Sequence, residues 1–243
     1  MSRRTTTSLS GSEPVEVLLF DAGNTLVFLD AEVVVEHLAD LGYSLEITAI
    51  LAAQGPAHAR YAERVAGGGA SHEDGWQLFM ATLLTTAGLP EGAVAEAVGH
   101  LRAEHDRFNL WRRVPPEVPV ALARARDAGF RLGVVSNSEG QLLRLLERLD
   151  LLAPFEVVVD SGVEGSRKPD PAIFHLATSR LGVDPRRCLY AGDIPDVDVV
   201  GARGAGLDGV LIDALGVHPG YLEAPRYTSI LELVTALAST PGG

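Results

Sequence analysis

The sequence predicts an α/β fold, in which a doubly wound parallel sheet carries an all-helical domain inserted after its first strand. Three stretches lead to this prediction. A short apolar run at residues 15–20 ends abruptly at Asp21, residues 28–113 show only helical spacing of apolar side chains, and helices alternate with strands from Pro115 onward. Alternation of that kind is typical of parallel sheets, because each strand must be joined to the next by a crossover helix.

The first strand is the apolar run that ends at Asp21. Its residues are apolar apart from Glu16, which is typical of a strand buried on both faces of a parallel sheet. In open α/β sheets the reactive groups collect beyond the carboxyl ends of the strands. Asp also ends strands and caps turns for structural reasons, so Asp21 becomes a catalytic candidate only if other strand ends carry polar groups.

The inserted domain is predicted to span residues 28–113 and to consist of helices. Apolar residues recur there at a spacing nearer 3.6 than 2, as in amphipathic helices. Glycine and proline divide the block at Gly42, at the glycine run 67–69 and at residues 88–90. The predicted helices cover residues 32–41, 47–65, 73–87 and 93–108.

The α/β core is predicted to comprise residues 15–27 and 114–243. Its later strands are predicted at residues 131–135, 155–159, 188–191 and 209–212. Its helices are predicted at residues 117–128, 140–149, 172–181, about 198–204 and 229–237. Residues 1–14 are rich in Ser and Thr and poor in apolar side chains, which predicts a disordered tail.

Composition and charge narrow the classes of partner. The chain has 243 residues and a formal net charge of −12, which disfavours nucleic acid and anionic membrane surfaces because both attract basic patches. No apolar stretch of the sequence approaches the length of a membrane span. The single cysteine, Cys188, cannot form an intrachain disulfide, which favours a reducing, cytoplasmic compartment. We expect a monomer or homodimer that acts on a small molecule.

Polar residues stand at the ends of four predicted elements, all on one edge of the sheet. Asp21, Ser136 and Asp193 each end a strand, and Lys168 stands where a helix is predicted to start. The N–H groups of a helix start would also favour an anion there. Of the 20 basic residues, 19 are Arg and only Lys168 is Lys. A compact ammonium suits a tight oxyanion site better than a planar guanidinium, although a lone surface Lys can also persist by chance.

In their order and spacing these residues resemble the four motifs of haloacid dehalogenase-superfamily hydrolases that carry a helical cap after the first strand. The resemblance covers residues 15 to about 238 and implies a Rossmann-like core. The first motif, Asp-x-Asp-x-Thr, is matched by Asp21 and Thr25, but Gly23 stands where the family has its second Asp. The other motifs are matched by Ser136, by Lys168 before a proline, and by Gly192-Asp193 with Asp198.

The resemblance implies phosphoryl transfer through an aspartyl-phosphate, with Asp21 as the nucleophile. It also implies Mg²⁺ as the cofactor, which would offset the repulsion between that carboxylate and an anionic substrate. The implied metal-binding groups are Asp21, the carbonyl of Gly23, Asp193 and, through a bound water, Asp198, with Asp196 and Asp160 as less favoured alternatives to Asp198. The implied catalytic and substrate-binding groups around the phosphate are Ser136, Lys168, Thr25 and the backbone of Asn24 and Asn137.

The glycine at position 23 departs from the family pattern, because the missing acid is the general acid/base of the family. Losing such a group costs on the order of 10²–10⁴ in rate. Three explanations stay open: the leaving group needs no proton, as in an acyl phosphate; a histidine of the cap supplies the proton; or turnover is slow or absent. The cap histidines are His37, His58, His72, His100 and His105, and a histidine on a helix more often has no catalytic role.

Three functions therefore stay open at the level of the sequence. The preferred one is a Mg²⁺-dependent phosphatase acting on a small phosphorylated metabolite. The second is a 2-haloacid dehalogenase-type hydrolase, in which Asp21 attacks carbon without a metal; that branch also lacks the second Asp, whereas the acids at 193 and 198 weigh against it. The third is a catalytically weak protein that binds a phosphorylated ligand, for which Gly23 is the only positive sign.

Overall fold

A computed structural model describes residues 14–66 and 71–239 of the chain. Backbone contacts divide the chain into two compact units, which we call the core unit and the helical unit. The helical unit consists of Phe28–Arg113 and Leu215–Val217, and the core unit of the other described residues. The predicted tail, apart from Pro14, and the glycine run at 67–69 lie outside the described residues.

In the described residues, eight strands and ten α-helices follow one another along the chain. The strands are β1 (Val17–Phe20), β2 (Phe28–Leu29), β3 (Trp111–Arg113), β4 (Arg131–Ser136), β5 (Val157–Asp160), β6 (Cys188–Gly192), β7 (Asp208–Ile212) and β8 (Arg226–Tyr227). The helices are α1 (Ala31–Asp40), α2 (Ile47–Ala66), α3 (His72–Thr86), α4 (Glu91–Arg107), α5 (Glu117–Asp127), α6 (Leu142–Arg148), α7 (Ser161–Glu164), α8 (Pro171–Leu181), α9 (Val200–Gly204) and α10 (Ile230–Ser239). A 3₁₀ turn at Pro185–Arg187 and a π-helical turn at Pro195–Val199 lie between them.

The core unit is a parallel sheet flanked by helices, which confirms the fold class. Its strand order is β5-β4-β1-β6-β7-β8, and every neighbouring pair is parallel. The chain first extends the sheet on one side of β1 through β4 and β5, then crosses to the other side for β6, β7 and β8. Such a reversal of strand order opens a crevice at the carboxyl ends of the central strands.

The interior of the core unit explains why the β1 sequence is apolar on both faces. All four residues of β1 are fully buried. Val17 and Leu19 belong to a cluster that includes Phe174 of α8 and Tyr190 of β6. The rings of Phe174 and Tyr190 meet edge to face, with centroids 5.1 Å apart, a favoured arrangement for aromatic pairs. This packing holds the central strands rigidly and fixes the positions of the residues that follow them.

The helical unit has its own apolar interior, in which Trp76, Phe79 and Leu83 of α3 pack with Leu38 of α1 and Leu101 of α4. It also contains an antiparallel ribbon of β2 and β3, which the sequence did not predict. These strands are two and three residues long, too short to show a period of two. None of the helices in the described ranges combines the length and the apolarity that a membrane crossing needs.

The start of α8 differs from the sequence prediction. The helix begins at Pro171, and Asp170 caps it by accepting a hydrogen bond from the amide of Ala172 at 2.9 Å. Lys168 lies in the loop before the helix, where its bond to Pro169 is cis. The prediction that Lys168 starts a helix is therefore wrong, because Lys168 lies before α8 and Asp170 is the residue that caps the helix.

Candidate active site

Three of the predicted site residues lie at the carboxyl ends of three adjacent strands of the sheet. Phe20 of β1 pairs with Val134 of β4 and with Ala191 of β6. Asp21, Ser136 and Asp193 come one or two residues after these paired positions, and all three are buried. The register of the parallel strands thus brings two carboxylates and a hydroxyl to one edge of the sheet.

The turn after Asp21 connects β1 to β6 through a side chain. Asn24 adopts a left-handed backbone conformation, with φ of 52°, which Asn tolerates better than most residues. Its amide donates to the carbonyl of Val27 at 2.8 Å, and its side-chain Nδ2 donates to Oδ2 of Asp193 at 2.9 Å. Asn24 therefore orients the Asp193 carboxylate, a role that the sequence did not predict for its side chain.

Lys168 joins the other polar groups of the site. Its Nζ donates to Oδ1 of Asp21 at 2.6 Å, to Oδ1 of Asp198 at 2.7 Å and to the hydroxyl of Tyr190 at 2.6 Å. Ser136 Oγ also donates to Oδ1 of Asp21, at 2.9 Å. These contacts bring four of the predicted residues together, and they hold the Asp21 carboxylate in one orientation.

The backbone of Lys168 is held by the side chain of Asn137. Oδ1 of Asn137 accepts from the Lys168 amide at 2.8 Å, and Nδ2 of Asn137 donates to the Lys168 carbonyl at 3.0 Å. Because Asn137 follows β4 directly, this pair of hydrogen bonds fixes the loop that carries the ammonium to the sheet edge. The sequence predicted a substrate-binding role for the backbone of Asn137; the structure adds that its side chain positions Lys168.

Asp198 reaches the site because Gly192 leaves room for it. A Cβ atom on Gly192 would lie 2.4 Å from Cγ of Asp198, far inside the normal contact distance, so a glycine is required at that point of β6. Asp198 lies in the π-helical turn, where its Oδ2 accepts from the amide of Ile194 at 2.8 Å. Gly192 is therefore needed for the packing of Asp198, and the next residue, Asp193, supplies a carboxylate to the site.

Tyr190 is a site residue that the sequence prediction missed. Its hydroxyl accepts from Lys168 and donates to the carbonyl of Val135 at 2.7 Å. Burial, with smaller contributions from nearby carboxylates, raises the pKa of Tyr190 well above its ordinary value, so the hydroxyl keeps the proton that it donates. The sequence did contain a signal for this role, a tyrosine within the otherwise apolar strand β6. Its contact with the Val135 carbonyl could not be predicted, because it depends on the register of the sheet.

The site buries three acidic side chains, Asp21, Asp193 and Asp198, together with the ammonium of Lys168. Burial is the largest cause that raises the pKa of Asp21, to about 7; Lys168 lowers it, while Asp198 and Asp193 raise it further. Burial also raises the pKa of Asp198, against the lowering effect of Lys168. For Lys168 the two carboxylates outweigh desolvation, so its pKa is raised and it stays an ammonium. The Lys168 ammonium thus contacts two buried carboxylates, Asp21 and Asp198, while a third buried acid, Asp193, acts on Asp21.

The residues present fit a divalent cation of the Mg²⁺ type. Asp21 and Asp193 supply hard carboxylate oxygens, and the backbone carbonyl of Gly23 follows in the same turn. Mg²⁺ takes oxygen ligands of this kind, usually one or two carboxylates with waters. A divalent cation would also offset the repulsion from Asp198 and Asp193, which adds to the effect of burial in raising the pKa of Asp21.

Other candidates from the sequence have different surroundings. Asp160 accepts hydrogen bonds from the amides of Gly140, Leu142 and Gly162, which is a structural role. Asp196 is exposed. The hydroxyl of Thr25 is buried and makes no hydrogen bond to any described residue, so it can still donate to a ligand.

Among the predicted cap histidines, His105 is an internal acceptor of the helical unit. Its Nδ1 accepts from Nε1 of Trp76 and from the amide of Leu110, each at 3.3 Å. This nitrogen is therefore engaged by hydrogen bonds within the helical unit. His58 is buried within the same unit, whereas His37 and His100 lie beside each other at 3.2 Å between ring nitrogens.

Comparison with known proteins relates this arrangement to a family. The chain is 36% identical over 149 residues to the phosphoserine phosphatase of Thermus thermophilus, which covers 61% of the chain and 57% of that protein. It is 38% identical over 108 residues to the glyceraldehyde 3-phosphate phosphatase of Methanopyrus kandleri, covering 43% of the chain and 46% of that protein. The aligned part thus spans only about half of these relatives.

Solved structures show the same fold. A putative hydrolase from Bacillus subtilis, determined with bound magnesium, superimposes with a TM-score of 0.66 at 19% identity, covering 92% of the chain and 98% of that protein. The family model of haloacid dehalogenase-like hydrolases matches residues 15–206, a range that holds every residue of the site from Asp21 to Asp198. The chain therefore belongs to the haloacid dehalogenase-like hydrolase family.

Proposed function

We propose that the protein is a Mg²⁺-dependent phosphatase that acts on a small phosphorylated metabolite through an aspartyl-phosphate on Asp21. The observation that carries this proposal is the buried ammonium of Lys168, which contacts Asp21 at 2.6 Å and Asp198 at 2.7 Å. An anionic phosphoryl group placed beside Asp21 would meet this ammonium and the Ser136 hydroxyl. Such fixed positive and donor groups stabilise charge that develops on transferred oxygens.

The reaction proceeds in two displacements. A carboxylate oxygen of Asp21 attacks phosphorus, the bond from phosphorus to the ester or acyl oxygen breaks, and the leaving group departs with that electron pair. Water then attacks the phosphorus of the aspartyl-phosphate, which releases inorganic phosphate and restores the Asp21 carboxylate. Splitting one difficult step into two is the advantage of a covalent nucleophile.

Asp21, Asp193 and the carbonyl of Gly23 would hold the Mg²⁺, with Asp198 acting through a bound water. When bound, the ion supplies positive charge that reduces the repulsion between the Asp21 carboxylate and the substrate anion. Asn24 holds Asp193 at 2.9 Å, and Ile194 and Lys168 hold Asp198 at 2.8 and 2.7 Å. The carboxylates are thus oriented in advance by other groups of the chain.

Gly23 leaves position 23 without an acid, which favours substrates whose leaving group needs no proton. An acyl phosphate releases a carboxylate, whose conjugate acid has a pKa of about 4 by analogy with acidic side chains. An alkyl phosphate releases an alkoxide, which needs a proton donor. Among phosphorylated metabolites, we therefore expect faster turnover of acyl phosphates than of alkyl phosphate esters.

Phosphate release across a panel of metabolites, measured with and without Mg²⁺, tests the proposal. The panel should include phosphoserine and glyceraldehyde 3-phosphate, after the names of the relatives, together with acetyl phosphate as an acyl phosphate. The expected result is Mg²⁺-dependent release from at least one member. Ligand-induced stabilisation without product from any member would instead indicate a phosphate-binding protein.

The Asp193→Asn substitution should weaken the response of the phosphatase activity to Mg²⁺. The Asp193→Asn variant keeps the size of the side chain and an oxygen ligand, but it removes a negative charge that faces the ion. We expect the Mg²⁺ concentration for half-maximal activity to rise by roughly tenfold or more. Asp196→Asn is the matched control, because Asp196 is exposed in the same segment and its variant should titrate like the wild type. Equal Mg²⁺ curves for all three proteins would remove Asp193 from the metal site.

The Tyr190→Phe substitution should disturb the position of the Lys168 ammonium without removing a charge from the site. Tyr190→Phe deletes the hydroxyl that accepts from Lys168 and leaves the Val135 carbonyl without that donor. We expect kcat to fall roughly tenfold, as for loss of one charged hydrogen bond of about 1.4 kcal/mol, and the free energy of unfolding to fall by about 1–3 kcal/mol.

Tyr227→Phe is the control for the Tyr190 variant, because Tyr227 is half-buried at the edge strand β8. The decisive comparison is the inhibition constant for inorganic phosphate. A weaker phosphate affinity in Tyr190→Phe indicates a displaced Lys168, whereas unchanged phosphate affinity and kcat, with a lower stability alone, would show that Tyr190 only supports the fold.

A 2-haloacid dehalogenase-type reaction is the second candidate, favoured by the absence of an acid at position 23. In that reaction the Asp21 carboxylate attacks carbon, halide leaves, and no metal takes part. The buried acids Asp193 and Asp198 weigh against it, because they would add repulsion to a carboxylate substrate. Halide release that persists in a chelator, with no phosphatase activity, would replace the phosphatase proposal by this one.

A further inference from the structure

The helical unit carries a cluster of three potential metal ligands, separate from the oxygen-rich site of the core unit. His37 and Asp40 lie in the last turn of α1, three residues apart, and His100 lies on the neighbouring α4. One ligand atom from each residue lies within 4.8 Å of the others. We propose that His37, His100 and Asp40 bind a Zn²⁺-type divalent cation that joins α1 to α4.

The two imidazoles already have the spacing that a shared metal ion requires. Nδ1 of His37 lies 3.2 Å from Nε2 of His100. Two nitrogens at about 2.0–2.1 Å from zinc in a tetrahedral arrangement lie about 3.3–3.4 Å from each other. The observed separation therefore matches one edge of a zinc tetrahedron without movement of either helix.

Asp40 is the third proposed protein ligand, and it lies on the exposed side of the cluster. Its Oδ2 lies 3.9 Å from Nδ1 of His37, and 71% of its side chain is exposed. A shift of roughly 1 Å, within the reach of an exposed side chain, would bring this oxygen to the same ligand spacing. A water molecule can then take the fourth position from the solvent.

Glu104 gives the cluster the outer carboxylate that histidine ligands commonly have. Oε2 of Glu104 lies 3.6 Å from Nε2 of His37, the ring nitrogen that is not proposed as a metal ligand. In metal sites a carboxylate behind the imidazole commonly orients the ring so that its other nitrogen can bind the ion. Glu104 itself is buried and is held by Arg107 and by Arg112, whose Nη1 donates to Oε1 at 2.9 Å.

The two sites differ in ligand type, so we expect them to prefer different metal ions. The proposed ligands of the core unit are all oxygens, which suits Mg²⁺, whereas two imidazoles and one carboxylate suit zinc or another late transition metal. Neither site shares a residue with the other. Zinc binding at the cluster is therefore independent of the phosphatase proposal, and its test needs no substrate.

The test is a titration of the intact protein, without a histidine tag and with Mg²⁺ in large excess. Zn²⁺ affinity is measured by competition with a chromophoric chelator, and the histidine ring nitrogens are followed by ¹H–¹⁵N NMR. We expect one tight Zn²⁺ site and shifts of two of the seven histidines, His37 and His100. His37→Gln and His100→Gln should each weaken Zn²⁺ binding by about tenfold or more.

Two further variants complete the experiment. Asp40→Asn changes an exposed residue, so it should fold normally and still weaken Zn²⁺ binding, whereas His175→Gln alters an exposed histidine of α8 and should bind like the wild type. The proposal is overturned if the wild type does not saturate, or if the three cluster variants retain wild-type affinity. It is equally overturned if Asp193→Asn, rather than these variants, abolishes zinc binding.

Discussion

Asp21→Asn should reduce phosphate release by a factor on the order of 10⁴ or more, while the metal-free protein becomes more stable at neutral and alkaline pH. Loss of the nucleophile removes the covalent route itself, and such losses are among the largest that single substitutions cause in enzymes. Asparagine keeps the shape of the side chain and its hydrogen bonds to Ser136 and Lys168. The loss of activity therefore arises without loss of the fold.

The gain in stability follows from the pKa of Asp21. In the folded, metal-free protein, burial and the neighbouring acids Asp198 and Asp193 outweigh Lys168 and raise this pKa from 3.8 to about 7. A group with a raised pKa destabilises the fold increasingly as pH rises from its unfolded-state value through its folded-state value. Between about pH 4 and 7 the wild type should lose stability relative to Asp21→Asn, and the difference should persist above pH 7.

Thermal melts in a chelator, recorded from pH 4 to 8, together with phosphate release in Mg²⁺ measure both effects. Asp196→Asn is the matched control, since it removes an exposed carboxylate nearby and should change neither quantity. A variant that is inactive but also less stable at pH 8 would indicate that Asp21 supports the fold. A variant that keeps more than a tenth of the activity would exclude Asp21 as the nucleophile.

The fold could be predicted from the sequence because its signals are local. Strand β1 reads as an uninterrupted apolar run before Asp21, and the long helices α2 and α4 have a clear period, so both ends of each fall within two residues of the prediction. Short elements gave no such signal. The ribbon of β2 and β3 exists only because the two ends of residues 28–113 meet and pair.

The residues of the site could be predicted because most of them lie at or just after strand ends. The contacts between their side chains could not be predicted. A parallel sheet brings the residues after β1, β4 and β6 to one edge, whatever their partners are. Which side chains then meet depends on register and on turns. Asn137 holds the backbone of Lys168, and Tyr190 holds its ammonium; both contacts join residues far apart in the sequence and depend on atoms that no motif records.

Gly23→Asp should raise the turnover of alkyl phosphate esters by a factor on the order of 10²–10⁴, the usual contribution of a general acid/base. The new carboxyl group would stand two residues after Asp21, in the turn that Asn24 closes onto Val27, and would protonate the leaving oxygen. Acyl phosphates, whose leaving group needs no proton, should gain only in the second step, when water is activated. The ratio of the two activities should therefore shift strongly toward alkyl esters.

The measurement is the dependence of kcat/KM on the pKa of the leaving group, for a series of aryl and alkyl phosphates. Without a proton donor the wild type should show a steep decline as that pKa rises, and Gly23→Asp should flatten it. Gly23→Asn is the matched control, because it adds the same volume without a transferable proton and should leave the slope steep. A shallow slope in the wild type would instead show that another group already supplies the proton. Equal slopes for the Asp and Asn variants would contradict the view that the glycine at position 23 limits turnover, because a carboxylate at that position would then transfer no proton.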